Sequence, residues 1–69
     1  MFFVIHSSRN KQGVYANEMF GFDNIKDAKS NHFYFLSSAY SNQTLDYFLS
    51  EIVDSDGGVI TREFYNGEP

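Results

Sequence analysis

One five-residue segment, Asp54-Ser55-Asp56-Gly57-Gly58, constrains the fold of this chain more than any other. Its Asp-Gly pair is typical of a tight hairpin turn, and the β-branched and aromatic residues 59–65 that follow are typical of a strand. Because a hairpin needs a strand on each side of its turn, residues 45–54 are predicted to form a strand too. Apolar periodicity alone favours a helix over that segment, so the turn decides between the two interpretations.

Alternation along a strand divides the side chains of segment 45–54 between two faces of a sheet. One face is expected to carry Leu45, Tyr47, Leu49 and Val53, and the other Phe48, Ser50 and Ile52. Both sets are mainly apolar. This strand is therefore expected to present apolar side chains on both faces.

The first twenty residues contain two further strand candidates. Residues 2–6 form a β-branched and aromatic run, and residues 8–13 have the composition of a turn. Residues 14–20 are a weaker strand candidate, because polar side chains interrupt their apolar pattern. We expect the two segments to pair antiparallel as a hairpin with a long loop.

Residues 24–38 are predicted to form a helix of about four turns. Asp23 is the expected N-cap, because its carboxylate can accept hydrogen bonds from the free amides of a first helical turn. The apolar side of the helix recurs at three- and four-residue spacing and comprises Ile25, Ala28, His32, Phe35, Leu36 and Ala39. An alternative ends the helix near Asn31 and makes residues 32–36 a strand, since clustered rings are typical of strands.

Together these segments predict an α+β fold with the order ββαββ, in which one helix packs on one face of a four-stranded, mostly antiparallel sheet. Residues 1–65 are expected to form a single compact domain, followed by a flexible tail at residues 66–69. A chain of 69 residues with no cysteine has no disulfides, so its eight Phe and five Tyr side chains must supply much of the core. Self-association is a natural supplement to so small a core.

The residues that usually carry chemistry are few and scattered. His6 and His32 come from different elements and there is no cysteine, so neither a metal site nor a cofactor is expected. Ser7 is the strand neighbour of His6 and points to the opposite face, which disfavours a nucleophile–base pair. The chain is therefore predicted not to be an enzyme.

One helix can cover only one face of the sheet, so the aromatic surplus predicts a second apolar face. That face is expected to include Phe48 and Ile52, with Phe2 or Phe3 and one of Tyr15 or Tyr65. Loops, the tail or a different register could cover it; otherwise it predicts dimerisation or the binding of another protein. The candidate partner-binding residues are Tyr15, Tyr47, Phe48, Asp54, Asp56 and Tyr65.

The net charge of −4 favours a basic or neutral partner. Nucleic acid is disfavoured, because its binding depends on neutralising phosphates and the five Lys and Arg residues are spread through the chain. No run of about 18 apolar residues is present, and the N-terminal segment lacks the features of a signal peptide. A cytoplasmic location without membrane association is expected.

The order of elements, with the helix start Phe22-Asp23-Asn24-Ile25-Lys26-Asp27-Ala28-Lys29 and the turn region Ile52–Ile60, resembles the layout of many tiny phage-encoded proteins. Some of those proteins are anti-CRISPR inhibitors. The resemblance implies a compact phage or mobile-element inhibitor that occupies the surface of a bacterial defence or regulatory complex, without a cofactor. The alternatives are a homodimeric structural or regulatory protein held by the aromatic sheet face, and a small nucleic-acid-binding protein.

Overall fold

The computed structural model describes residues 1–66 of the chain. Its elements are β1 (Phe2–Asn10), β2 (Tyr15–Phe22), α1 (Ile25–Ser41), β3 (Leu45–Asp54) and β4 (Val59–Asn66). The strands form one sheet in the order β2-β1-β3-β4, and every neighbouring pair is antiparallel. The predicted ββαββ fold is confirmed. Of the predicted tail, residues 67–69 lie outside the described residues.

The turn between β3 and β4 is held by the side chain that precedes it. Asp54 Oδ1 accepts hydrogen bonds from the backbone N–H groups of Asp56 (2.9 Å) and Gly58 (2.8 Å). Gly57 has a φ of +85°, a conformation that side-chain-bearing residues rarely adopt. The local sequence therefore specifies this hairpin directly, and residues 45–54 are a strand as predicted.

The turn between β1 and β2 uses the same device. Asn10 Oδ1 accepts hydrogen bonds from the N–H groups of Gln12 (2.8 Å) and Val14 (3.0 Å), and Gly13 has a φ of +84°. Because an Asx side chain fixes each turn, the registers of both hairpins are set locally.

The helix begins one residue later than predicted and is longer. Its N-cap is Asn24 rather than Asp23, so the Asp23 prediction is wrong. Asn24 Oδ1 accepts the N–H of Asp27 (2.8 Å) while its Nδ2 donates to Asp27 Oδ2 (3.0 Å), a reciprocal pair that a carboxylate at the cap could not form. The helix continues to Ser41, which rules out the alternative of a strand at residues 32–36.

The core lies between α1 and one face of the sheet. Two apolar clusters form it: Val4, Ala28 and Ile52 near the start of the helix, and Leu36, Ala39 and Phe48 near its end. The two alanines are at most 2% exposed, and their small side chains let the helix lie close to the strands. The predicted apolar side of the helix is the side that packs on the sheet.

Two register shifts interrupt the ladders and change which side chains share a face. On β3, Arg9 pairs with Tyr47 and Asn10 with Leu45, so Asp46 is an extra residue opposite β1. Such a bulge moves the preceding residue to the other face. Leu45 accordingly packs against the Leu36–Ala39–Phe48 cluster, and its predicted placement with Tyr47 is wrong. On β4, Ile60 is the extra residue between Val59 and Thr61.

Replacing Asp54 with Ala is expected to lower the free energy of unfolding by about 1 kcal/mol, because two backbone N–H groups lose their acceptor. Urea denaturation at fixed protein concentration measures the change. Asp56→Ala is the matched control, since its exposed side chain lies in the same turn outside these bonds, and it should change stability by less than about 0.5 kcal/mol. Equal effects of both variants would contradict this account of the turn.

Candidate protein-binding face

The sheet face opposite α1, called here the uncovered face, is defined by strand alternation. The helix buries Val4, His6, Phe48 and Ile52. Because successive side chains of a strand alternate between the two faces of the sheet, the neighbours of these residues along each strand point away from the helix. None of the elements in residues 1–66 packs over that side. Its apolar members are Phe3, Ile5, Tyr15, Met19, Tyr47, Leu49, Val53, Val59 and Phe64.

Cross-strand pairing places these apolar side chains next to one another. Leu49 lies opposite Phe64 on β4, and Val53 lies opposite Val59. Phe3 pairs with Val53 on one side and with Gly21 on the other, where its ring lies 3.6 Å from the position that a glycine Cβ would take. The apolar surface is therefore continuous across all four strands.

Several of these side chains are more than half exposed. The exposed fractions are 69% for Tyr15, 65% for Met19, 60% for Phe64 and 52% for Val59. Scattered apolar residues are ordinary on a protein surface, whereas a contiguous apolar face marks an interaction site. This face is the strongest candidate functional site in the described part of the chain.

The charged side chains that lie among these apolar residues are paired. Arg62 Nε lies 2.9 Å from Glu51 Oε2 across the β3–β4 ladder, and Arg9 Nε lies 2.8 Å from Asp46 Oδ1 at the other end. Each pair joins one positive and one negative group. The uncovered face is therefore close to electrically neutral, although the whole chain carries a charge of −4.

The predicted partner-binding residues occupy three different places. Tyr15 and Tyr47 lie on the uncovered face, because both pair with Arg9. Asp54 and Asp56 lie in the β3–β4 turn, where Asp54 is engaged in fixing the backbone. Tyr65 lies on the helix side, with its ring centroid 4.9 Å from that of Tyr40.

Phe48 is 6% exposed and belongs to the helix-side core, so its predicted place on the uncovered face is wrong. The same error affects Ile52, which is fully buried. Strand alternation correctly placed Phe48 and Ile52 on the face opposite to that of Tyr47 and Leu49. Both faces of β3 are apolar, however, so the sequence does not say which of them the helix covers. The burial of Phe48 is decided by tertiary packing.

Sequence reasoning also missed residues that alternation alone could have found. Met19 and Phe64 project from the two edge strands, and Ile5 and Leu49 from the two central ones. Every second residue of a strand points to the same face. Met19 therefore shares a face with Tyr15, and Phe64 shares one with Arg62.

A second feature, absent from the sequence predictions, lies inside the core. His32 Nδ1 is 2.7 Å from Ser50 Oγ, and His32 Nε2 is 3.7 Å from Glu63 Oε1. At 3.7 Å the second contact is electrostatic rather than a hydrogen bond. Because the Glu63 carboxylate can only accept, it favours a proton on Nε2, which leaves Nδ1 to accept the Ser50 hydroxyl proton.

This arrangement contains the residue types of a hydrolase triad but lacks access. Ser50 and His32 are both 0% exposed, so no substrate carbonyl can reach the serine hydroxyl in this conformation. The hydrogen bond instead gives two buried polar side chains a partner beneath the helix.

The other histidine, His6, is buried in a cage of rings. Its centroid lies 5.4 Å from that of Phe20, 4.7 Å from Phe35 and 5.3 Å from Phe48. Both of its ring nitrogens lack a hydrogen-bond partner. An imidazolium in this apolar cage would be strongly destabilised, so the fold favours the neutral ring.

Burial is the main cause that lowers the pKa of each histidine. For His6 the Glu18 carboxylate partly opposes this effect and His32 adds to it. For His32 the Glu63 carboxylate partly opposes it. Both side chains therefore bind a proton less readily in the folded protein than in the unfolded chain, where the pKa is about 6.5.

The free energy of unfolding should consequently fall as the pH drops below about 6.5, the pKa in the unfolded chain. The unfolded state then binds more protons than the folded state, with a slope of up to about 1.4 kcal/mol per pH unit for each histidine. Above that pH both imidazole rings are neutral in the folded and the unfolded state, so protonation causes no loss of stability there. Urea denaturation at pH 7.5 and pH 5, at one protein concentration, measures the loss.

His6→Leu should reduce this loss, because leucine can occupy the ring cage without titrating. An equal loss of stability in wild type and His6→Leu would contradict the assignment of this pH dependence to His6.

Among residues 1–66, no group of three His, Cys, Asp or Glu side chains is placed to hold a metal ion. Within the same residues, the helix is neither long nor apolar enough to span a bilayer. Comparison of the chain with protein-family models, curated proteins and solved structures gives no significant match.

Proposed function

We propose that this chain is a non-catalytic protein-binding module that associates with other protein through its uncovered face. The observation that carries the proposal is the continuous apolar surface across all four strands, on which four large side chains are more than half exposed. Leaving this surface in water is costly, so an obligate or frequent partner stabilises the molecule.

The composition of the face supports a protein partner. Tyrosine, phenylalanine, methionine and arginine are the residues enriched where proteins meet, and the face carries all four types, including Tyr47, Phe64 and Met19. Aromatic and arginine side chains at the centre of such a surface dominate binding energy. Rigid strands hold them in place, which lowers the entropy cost of binding.

The charges of the face favour protein over nucleic acid. Its two arginines, Arg9 and Arg62, already lie within 2.9 Å of the carboxylates of Asp46 and Glu51. Neutralising a phosphate would require breaking these pairs on a chain of net charge −4. An alternative function in nucleic-acid binding is therefore disfavoured.

A non-catalytic role is supported by the inaccessibility of the Ser50–His32 pair. The proposed setting is a phage or mobile-element protein that acts in the bacterial cytoplasm by occupying the surface of a defence or regulatory complex. In that setting the chain needs shape and apolar area rather than chemistry. A homodimeric structural or regulatory protein would use the same face.

Tyr47→Ala should remove the chain from its complex in bacterial lysate, because it truncates a ring on the uncovered face. The measurement is the native size of tagged protein in nuclease-treated lysate, which should fall to that of the free 8.0 kDa chain. Wild-type protein should elute at a larger size.

Tyr34→Ala is the matched control, since this tyrosine is 67% exposed but lies on α1, away from the uncovered face. It should leave the native size unchanged. A wild-type protein that elutes as the free chain, or a Tyr47→Ala variant that stays in the complex, would contradict the proposal.

A further inference from the structure

We infer that the partner of the uncovered face is a second copy of this chain, so that two sheets pack face to face in a symmetric dimer. The inference rests on the proposed function, because it names the occupant of the same surface. Three properties of the face support it: its shape, its area and its charge.

The shape of the surface fits another sheet. Antiparallel sheets share one hand of twist, and two of them pack with their strands about 30° apart and their backbones about 10 Å apart. A second copy supplies a sheet of identical twist with the same apolar positions. The two-fold arrangement lets one patch be complementary to itself, as in most homodimers.

The size of the surface meets the lower requirement of a stable dimer. The backbone extends 34 Å by 18 Å along its two longest axes, and the 34 Å length matches a ten-residue strand such as β3. At complete coverage this outline amounts to at most about 600 Å² per copy, or about 1,200 Å² for two, which reaches the lower limit of stable protein interfaces.

The charge of the face permits two acidic chains to meet. Glu51 and Arg62 neutralise each other at the β3–β4 ladder, so this face adds no net charge to the interface. Other acidic groups, such as Asp54, Asp56 and Asp27, lie in the β3–β4 turn or on the helix.

A dimer of this kind has four layers, with the helices outside and the two sheets between them. Both copies keep α1 and the β3–β4 turn accessible. The uncovered face of each copy is then occupied by the other copy.

The test is sedimentation equilibrium of the purified full chain between about 1 and 500 μM, a range that covers micromolar dissociation constants. The expected result is a concentration-dependent mass that approaches twice 8.0 kDa. Raising the salt concentration should leave the dimer intact, because apolar contacts dominate the interface and the ion pairs on the face join groups of one copy. A monomer throughout the range overturns the inference.

Phe64→Glu should weaken the dimer by at least about 100-fold, because the substituted side chain is on the uncovered face in both copies. Phe33→Glu is the matched control: Phe33 is 50% exposed, close to the 60% of Phe64, but lies on α1. It should change the dissociation constant by less than about threefold. A dimer that tolerates Phe64→Glu, or that Phe33→Glu disrupts, overturns the inference.

NMR spectra of wild-type protein at several dilutions locate the interface without any substitution. This measurement tests the inference even if the Phe64→Glu variant fails to fold. Shifts that change with concentration should map to Ile5, Met19 and Leu49. Shifts confined to α1 would overturn the inference.

Failure of this inference is distinguishable from failure of the proposed function. A purified chain that is monomeric, together with a lysate complex that Tyr47→Ala abolishes, rejects the second copy and retains a different protein partner on the same face. If the purified chain is monomeric and Tyr47→Ala has no effect on native size in lysate, the protein-binding role of the face is rejected as well.

Discussion

Each inner strand of this sheet carries apolar side chains on both faces, yet among the described residues the chain has one helix with which to cover them. Burying apolar surface is the main favourable term in folding, and each sheet face needs a layer against it. Helix α1 covers the Val4, Phe48 and Ile52 side. The opposite side, from Phe3 to Phe64, has no such layer within residues 1–66. The organisation of the molecule and its proposed function both follow from this imbalance.

The covered side shows how tightly the helix must pack. Two alanines bring α1 close to the strands, and the space between the two apolar clusters is filled by His6, His32 and Ser50, all at most 3% exposed. His32 Nδ1 and Ser50 Oγ are hydrogen-bonded at 2.7 Å, whereas neither ring nitrogen of His6 has a hydrogen-bond partner. Neutral histidines in a small core link stability to pH, because the unfolded chain can bind the protons that the folded protein excludes.

Much of the secondary structure could be predicted because its causes are local. Asp54 and Gly57 act within one turn, and the helical stripe from Ile25 to Ala39 is a property of spacing. The errors arose where a choice was locally degenerate. Asp23 and Asn24 are both good caps, and only the reciprocal bond with Asp27 distinguishes them. The bulge at Asp46, which moves Leu45 to the core, depends on pairing with a distant strand.

The sequence by itself determined the order of elements, the turn between β3 and β4, the apolar side of the helix and the existence of two apolar sheet faces. It predicted Tyr15 and Tyr47 as partner-binding residues, and both lie on the uncovered face. It could not decide which of the two alternating sets of β3 side chains the helix would cover. Tertiary structure made that choice, burying Phe48 and leaving Leu49 outside. Strand alternation fixes only which side chains share a face, whereas the face that becomes the core depends on where the helix crosses the assembled sheet.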